Sequence, residues 1–133
     1  MVRYMLDTNV CIHVLRQPDS LIADRFKENE ASLSISAITL HELHFGADRS
    51  QRPAYQRALT DKLAARLTVF EFGSDAASHS GNIHAALAKS GQLIGAYDML
   101  IAGHARSLGL TVVTSDVNDF KRVDGLLYED WLA

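Results

Sequence analysis

Short apolar runs rich in branched residues alternate with helix-period segments along the whole chain. VRYML (2–6) reads as a strand and TNVCIHVLR (8–16) as a helix behind it. After the break at Pro18, ADRFKEN (23–29) belongs to a second short helix. SLSIS (32–36) alternates as a strand does, and AITLHELHFGADR (37–49) is a helix that Ser36 is placed to cap. Pro53 marks the next break, before a helix over 54–67. TVFEF (68–72) is a strand, and DAASHSGNIHAALAKSG (75–91) is a helix stopped by Gly91. That helix is rich in Ala, Ser and Gly, so close packing against a neighbour is expected. Gly95 precedes a helix through YDMLIAGHARSL (97–108), TVVTS (111–115) is a strand, and GLLYEDW (125–131) holds a last short one. Such alternation predicts an α/β/α sandwich with a mostly parallel central sheet, as a single domain over 1–133.

Ligands of parallel sheets bind outside the carboxyl ends of the strands. Asp7 and Asp116 fall at two such ends, Asp98 opens a helix, and Glu42 follows SLSIS by about two helical turns. Each residue has an ordinary explanation. Asp7 could cap the helix after it, Asp98 could complement a helix dipole, and Asp116 and Asp119 could be turn residues. Glu42 could hold a buried arginine. Against this, Ile94, Ile101 and Ala102 share a helical side with Asp98, and Ile38, Phe45 and Gly46 surround Glu42. Those sides are not plainly solvated, and a carboxylate there needs a partner. Carboxylates gathered in one pocket repel unless a cation neutralises them. The joint pattern therefore points to a divalent metal and to phosphodiester hydrolysis.

Composition narrows the field. At 133 residues with 47% hydrophobic content the chain can bury a sizeable core. It has no apolar run long enough to span a bilayer. MVRYMLD enters a strand pattern without a signal-peptide leader, so a cytoplasmic protein is expected. The lone Cys11, among apolar helix positions, is expected to be a buried structural thiol. A net charge of −3 argues against a generic nucleic-acid coat. Arg49, Arg52, Arg57, Lys62 and Arg66 nevertheless form a basic stretch that either grips a phosphate backbone or is a solvated helix face.

Rival motifs fail in the same residues. A phosphoaspartate phosphatase would want Asp-x-Asp, and the second position here is Asn9. His41 and His44 stand three apart, where a zinc-protease helix needs four. The eight glycines form no phosphate loop. The six histidines show no spacing that pairs them for metal-free acid–base cleavage, and each is expected to be a surface or half-buried helix residue.

Four blocks in order, MLDTN, SAITLHELHFGA, GAYDMLIAGHARSLGLTVVTSDVNDFKRV and LLYEDW, resemble PIN-domain ribonucleases over essentially the whole chain. Within that family they look most like VapC toxins of bacterial toxin–antitoxin pairs, particularly the initiator-tRNA-specific endonucleases. The resemblance implies a Mg²⁺- or Mn²⁺-dependent endoribonuclease that inhibits translation. It implies homodimerisation, a cognate VapB antitoxin lying across the active-site groove, and contact with DNA only through that antitoxin. The family's acidic positions fall on Asp7, Glu42 and Asp98, with a fourth at Asp116 or Asp119, of which Asp116 is favoured. Asp7 and Asp98 would then be the main direct metal ligands, with Glu42 and Asp116 reaching the metal directly or through water, and Thr8, Asn9 and Thr114 match polar pocket positions. Hard oxygen donors suit Mg²⁺ or Mn²⁺ better than Zn²⁺. In-line attack by water would leave a 5′-phosphate and a 3′-hydroxyl. The alternatives are a degenerate PIN-like module that binds RNA or protein without cutting, and a metal-dependent phosphatase.

Overall fold

In the computed structural model, which describes residues 1–131, the expected alternation becomes five short parallel strands and seven α-helices, with one 3₁₀ turn over Glu30–Ser32. The strands are β1 (Tyr4–Leu6), β2 (Leu33–Ser36), β3 (Thr68–Phe70), β4 (Thr111–Val113) and β5 (Leu127–Glu129). The helices are α1 (Thr8–Arg16), α2 (Leu21–Glu28), α3 (Ala37–Asp48), α4 (Pro53–Ala65), α5 (Ser74–Lys89), α6 (Ala96–Leu108) and α7 (Val117–Phe120). Parallel strands require crossover connections, and the helices between them provide these. The sheet order is β3-β2-β1-β4-β5. From β1 the chain builds outward through β2 to β3, then returns to the other side of β1 to add β4 and β5. The order therefore reverses between β1 and β4, and the carboxyl ends of those strands flank the switch-point crevice where parallel sheets place ligands.

Side-chain alternation divides the core into two layers. Tyr4 and Leu6 pack with Val10, Phe26, Ile35 and Leu43 under α1–α4, whereas Met5 and Val112 pack with Ile83, Ile101 and Phe120 under α5–α7. Strands β1, β2 and β4 are largely buried, as central parallel strands must be, while edge strand β5 is exposed. Cys11 is fully buried, in keeping with a structural thiol. No helix among the described residues is long and apolar enough to cross a membrane.

The close approach expected of the Ala- and Gly-rich helix is present, but the glycine responsible lies on its partner. A Cβ added to Gly103 of α6 would stand 2.5 Å from the Ser80 backbone nitrogen of α5, whereas one at Gly81 would meet nothing. This contact seats α6 tightly, and α6 carries Asp98. Pro53 occupies the first turn of α4, where a missing N–H is harmless.

Candidate metal centre

The crevice is assembled by strand register. Leu6 pairs with Val113, and the next amide, Asp7 N–H, donates to the Val113 carbonyl at 3.0 Å. Asp7 and Thr114 therefore leave adjacent strand ends side by side. Asp7 Oδ1 accepts from Val10 N–H at 2.9 Å and caps α1. Capping α1 therefore does not take Asp7 out of the crevice. Asp7 is only 2% exposed, and burial pushes its carboxyl up to about 6. The Thr114 hydroxyl and Val10 N–H oppose that rise, and the charges of Asp116 and Glu42 add to it.

Glu42 arrives from the second turn of α3, and its entry is set by a short polar chain. Thr8 Oγ1 donates to Glu42 Oε1 at 2.6 Å. A hydroxyl has one proton, so the 3.2 Å contact between Thr8 and the buried Thr39 is donated by Thr39. Among the described residues Glu42 has no ion pair, so the buried arginine partner is not what holds it. Ser36 caps α3 through Ile38 N–H at 3.0 Å, and its Oγ lies 2.8 Å from His104 Nδ1 on α6. That contact ties the helix of Glu42 to the helix of Asp98.

His104 corrects one expectation. It is 2% exposed rather than superficial, enclosed by Phe70 and Phe72, and burial lowers its pKa. Neither Thr39 nor His104 was found from sequence, because their partners lie 31 and 68 residues away.

Asp98, in the first turn of α6, is half-buried, while Ile101 and Ala102 of the same helix are fully buried. Its carboxyl is pushed up to about 6, first by burial and then by Asp7, Glu42, Asp116 and Asp119. Carboxylate oxygens of Asp98, Asp116 and Asp119 all lie within 4.8 Å of one another. The single-turn helix α7 explains why both aspartates of TSDVNDF arrive: Asp116 stands at its N-cap and Asp119 in its first turn. Burial and the hydrogen-bonded Asp119 raise the Asp116 carboxyl, against an opposing effect of Arg122. Geometry thus brings Asp119 in alongside Asp116 and does not single out either one. Asp7 and Glu42 lie outside this tight triad but close enough to destabilise its charge.

Five carboxylates surround one crevice. Among the described residues, the one cation within ion-pair reach of them is Arg122, 4.0 Å from Asp119. Hard oxygen donors clustered in this way, with burial and neighbouring charge raising the carboxyls of Asp7 and Asp98, fit a divalent cation. The exposed Asn9 and buried Thr8 line a groove that runs from Glu42 along α1 and α3.

The basic stretch is broken up by its surroundings. Arg57 holds Asp48 through two hydrogen bonds of 2.9 and 2.7 Å, and Arg66 holds Glu30. Arg52 lies over the Tyr55 ring at 4.2 Å and Lys62 is exposed. Of the five, Arg49 alone lines the groove beside Glu42.

The PIN domain model matches residues 4–126. The chain is 42% identical to a tRNA(fMet)-specific endonuclease VapC of Shigella flexneri over 98% of its own length and 99% of the relative's. It is 41% identical to ribonuclease VapC2 of Haemophilus influenzae, over 99% and 100%. The structure superposes on that of DNA-bound VapBC from Salmonella typhimurium with a TM-score of 0.95 at 43% identity, covering 98% of this chain and 99% of that one. A VapBC2 complex from Rickettsia felis gives 0.91 at 29% identity, with the same coverage. With its parallel sheet, its switch-point carboxylates and these whole-length matches, the chain belongs to the PIN-domain family, in its VapC branch.

Proposed function

We propose that the chain, read as one PIN domain over 1–133, is the toxin of a VapBC pair and a Mg²⁺- or Mn²⁺-dependent endoribonuclease. The observation that carries the proposal is the convergence of Asp7, Glu42, Asp98, Asp116 and Asp119 on the switch-point crevice. Asp98, Asp116 and Asp119 would hold the ion, with Asp7 beside them. When bound, the ion neutralises these carboxylates and acts on the scissile phosphate as a Lewis acid.

The chain's own residues supply the rest. The Thr8 hydroxyl fixes Glu42 Oε1, leaving Oε2 to orient the attacking water and take its proton. Asp7 is locked by the Val10 amide and faces the Thr114 hydroxyl, so it keeps its position whether or not it is charged. Water attack on phosphorus breaks the P–O3′ bond and leaves a 5′-phosphate, and the departing 3′-oxygen takes a proton from solvent to become the 3′-hydroxyl.

The VapC relatives named as tRNA(fMet)-specific endonucleases support the anticodon stem-loop of initiator tRNA as the substrate. Cleavage there would stop translation in the cytoplasm. The VapBC complexes, both bound to DNA, support a cognate VapB antitoxin as partner, and we take DNA to be reached only through that antitoxin. We take the active toxin to be a homodimer. Sequencing RNA ends after a brief pulse of expression tests the proposal. New 5′-phosphate ends confined to initiator tRNA support it; unchanged RNA, or cyclic-phosphate ends, refutes it.

A further inference from the structure

We propose that the groove leading out of the crevice is a base-stacking platform for unpaired RNA, built by Phe45 and Tyr97 and flanked by Arg16 and Arg49. The inference rests on the ribonuclease reading and says which side chains hold the strand next to the cut. The groove encloses about 660 Å³, room for a nucleotide-sized group. It opens directly from Glu42 and Thr8, so a strand with its phosphate in the crevice has its neighbouring nucleotide here.

Two aromatic rings stand half in solvent on its walls, Phe45 at 58% and Tyr97 at 46% exposure. Neither ring belongs to the two core layers. Each is held ready. Tyr97 Oη is 3.2 Å from His41 Nε2, and the Arg49 guanidinium lies 5.3 Å from the Phe45 ring centroid, a pairing that can extend a stack onto a base. Arg16 and Arg49 are exposed and, among the described residues, form no ion pair, unlike Arg57 and Arg66 on α4. Stackable rings and guanidinium groups without an ion pair, beside a phosphate site, fit single-stranded RNA.

The test uses full-length protein carrying Asp98→Asn, which keeps the RNA intact, and a hairpin RNA with 2-aminopurine in its unpaired loop. The parent should bind and change the fluorophore's emission. Phe45→Ala and Tyr97→Ala should each weaken binding roughly ten-fold and lose the emission change, and Phe45→Trp should restore both where Phe45→Leu does not. Arg16→Ala and Arg49→Ala should each lower the salt slope of binding by about one, and Arg57→Ala and Arg66→Ala should leave it unchanged. If wild-type protein cuts RNA yet the aromatic variants bind and report as the parent does, the platform is wrong and the ribonuclease reading stands. If the same variants lose only association with antitoxin or with a second copy, the groove is a protein face and the proposal falls. If wild-type protein neither cuts nor binds RNA, both readings fall.

Discussion

Replacing Asp7 with Asn should stabilise the metal-free protein while abolishing its proposed activity. Asp7 is 2% exposed and its carboxyl is raised from 3.8 to about 6, so its charge works against the fold at neutral pH. A shift of about two units at about 1.4 kcal/mol each corresponds to about 3 kcal/mol. Asn keeps the oxygen that caps α1 but meets the Thr114 hydroxyl less well, which leaves a net gain of about 2 kcal/mol. For a chain of this size that is a rise in Tm of roughly 8 °C.

The sign with pH follows from linkage. Between the unfolded and folded pKa values the folded state binds more protons, so wild-type stability falls as pH rises from about 4 to about 6. It stays low above that window. The advantage of Asp7→Asn should therefore be full near neutrality and be lost on acidification towards pH 4, where only the weaker contact with Thr114 remains. Taking the difference between the two proteins cancels the opposite contribution of His104, which is common to both. Thermal melts in chelator across this range measure it, and saturating Mg²⁺ should then raise the Tm of the wild type more than that of the variant, which keeps Asp98, Asp116 and Asp119 but loses the neighbouring charge. A variant less stable than wild type at neutral pH in chelator, or a gap that does not close on acidification, would refute the reasoning.

Three further outcomes are expected. Asp98→Asn should lose cleavage with its circular dichroism spectrum intact and gain less apo stability than Asp7→Asn, because half-exposed Asp98 is screened by solvent. Thr8→Val should lower kcat about ten-fold with little change in KM, and cost about 1–2 kcal/mol in urea unfolding by stranding Thr39; Thr8→Ser should recover both. Gly103→Ala should cost about 2 kcal/mol in urea unfolding, since its Cβ would collide with the Ser80 backbone rather than a movable side chain.

Much of the site was legible because it is local. Asp7 follows a strand and opens a helix, and Asp98 sits in a first turn whose other side is apolar, so hydrophobic periodicity alone places both at the sheet's carboxyl edge. What periodicity cannot carry is strand order. The switch point between β1 and β4, which makes the edge a crevice, depends on pairings between segments about a hundred residues apart. The same limit hid Thr39, whose partner Thr8 lies on another helix, and the Arg57–Asp48 bridge, which needs the packing of α3 on α4. It also left the two aspartates of TSDVNDF as alternatives, because four residues give no periodicity from which to see that α7 turns both inward.

Cleavage of a tRNA pool by purified protein tests the central claim most directly. In Mg²⁺ the protein should produce discrete fragments with 5′-phosphate ends, excess chelator should abolish them, and restored Mg²⁺ should return them. Asp98→Asn should yield none under any of these conditions. Undiminished cleavage in chelator, or by that variant, would contradict the assignment of these carboxylates to a metal-dependent nuclease.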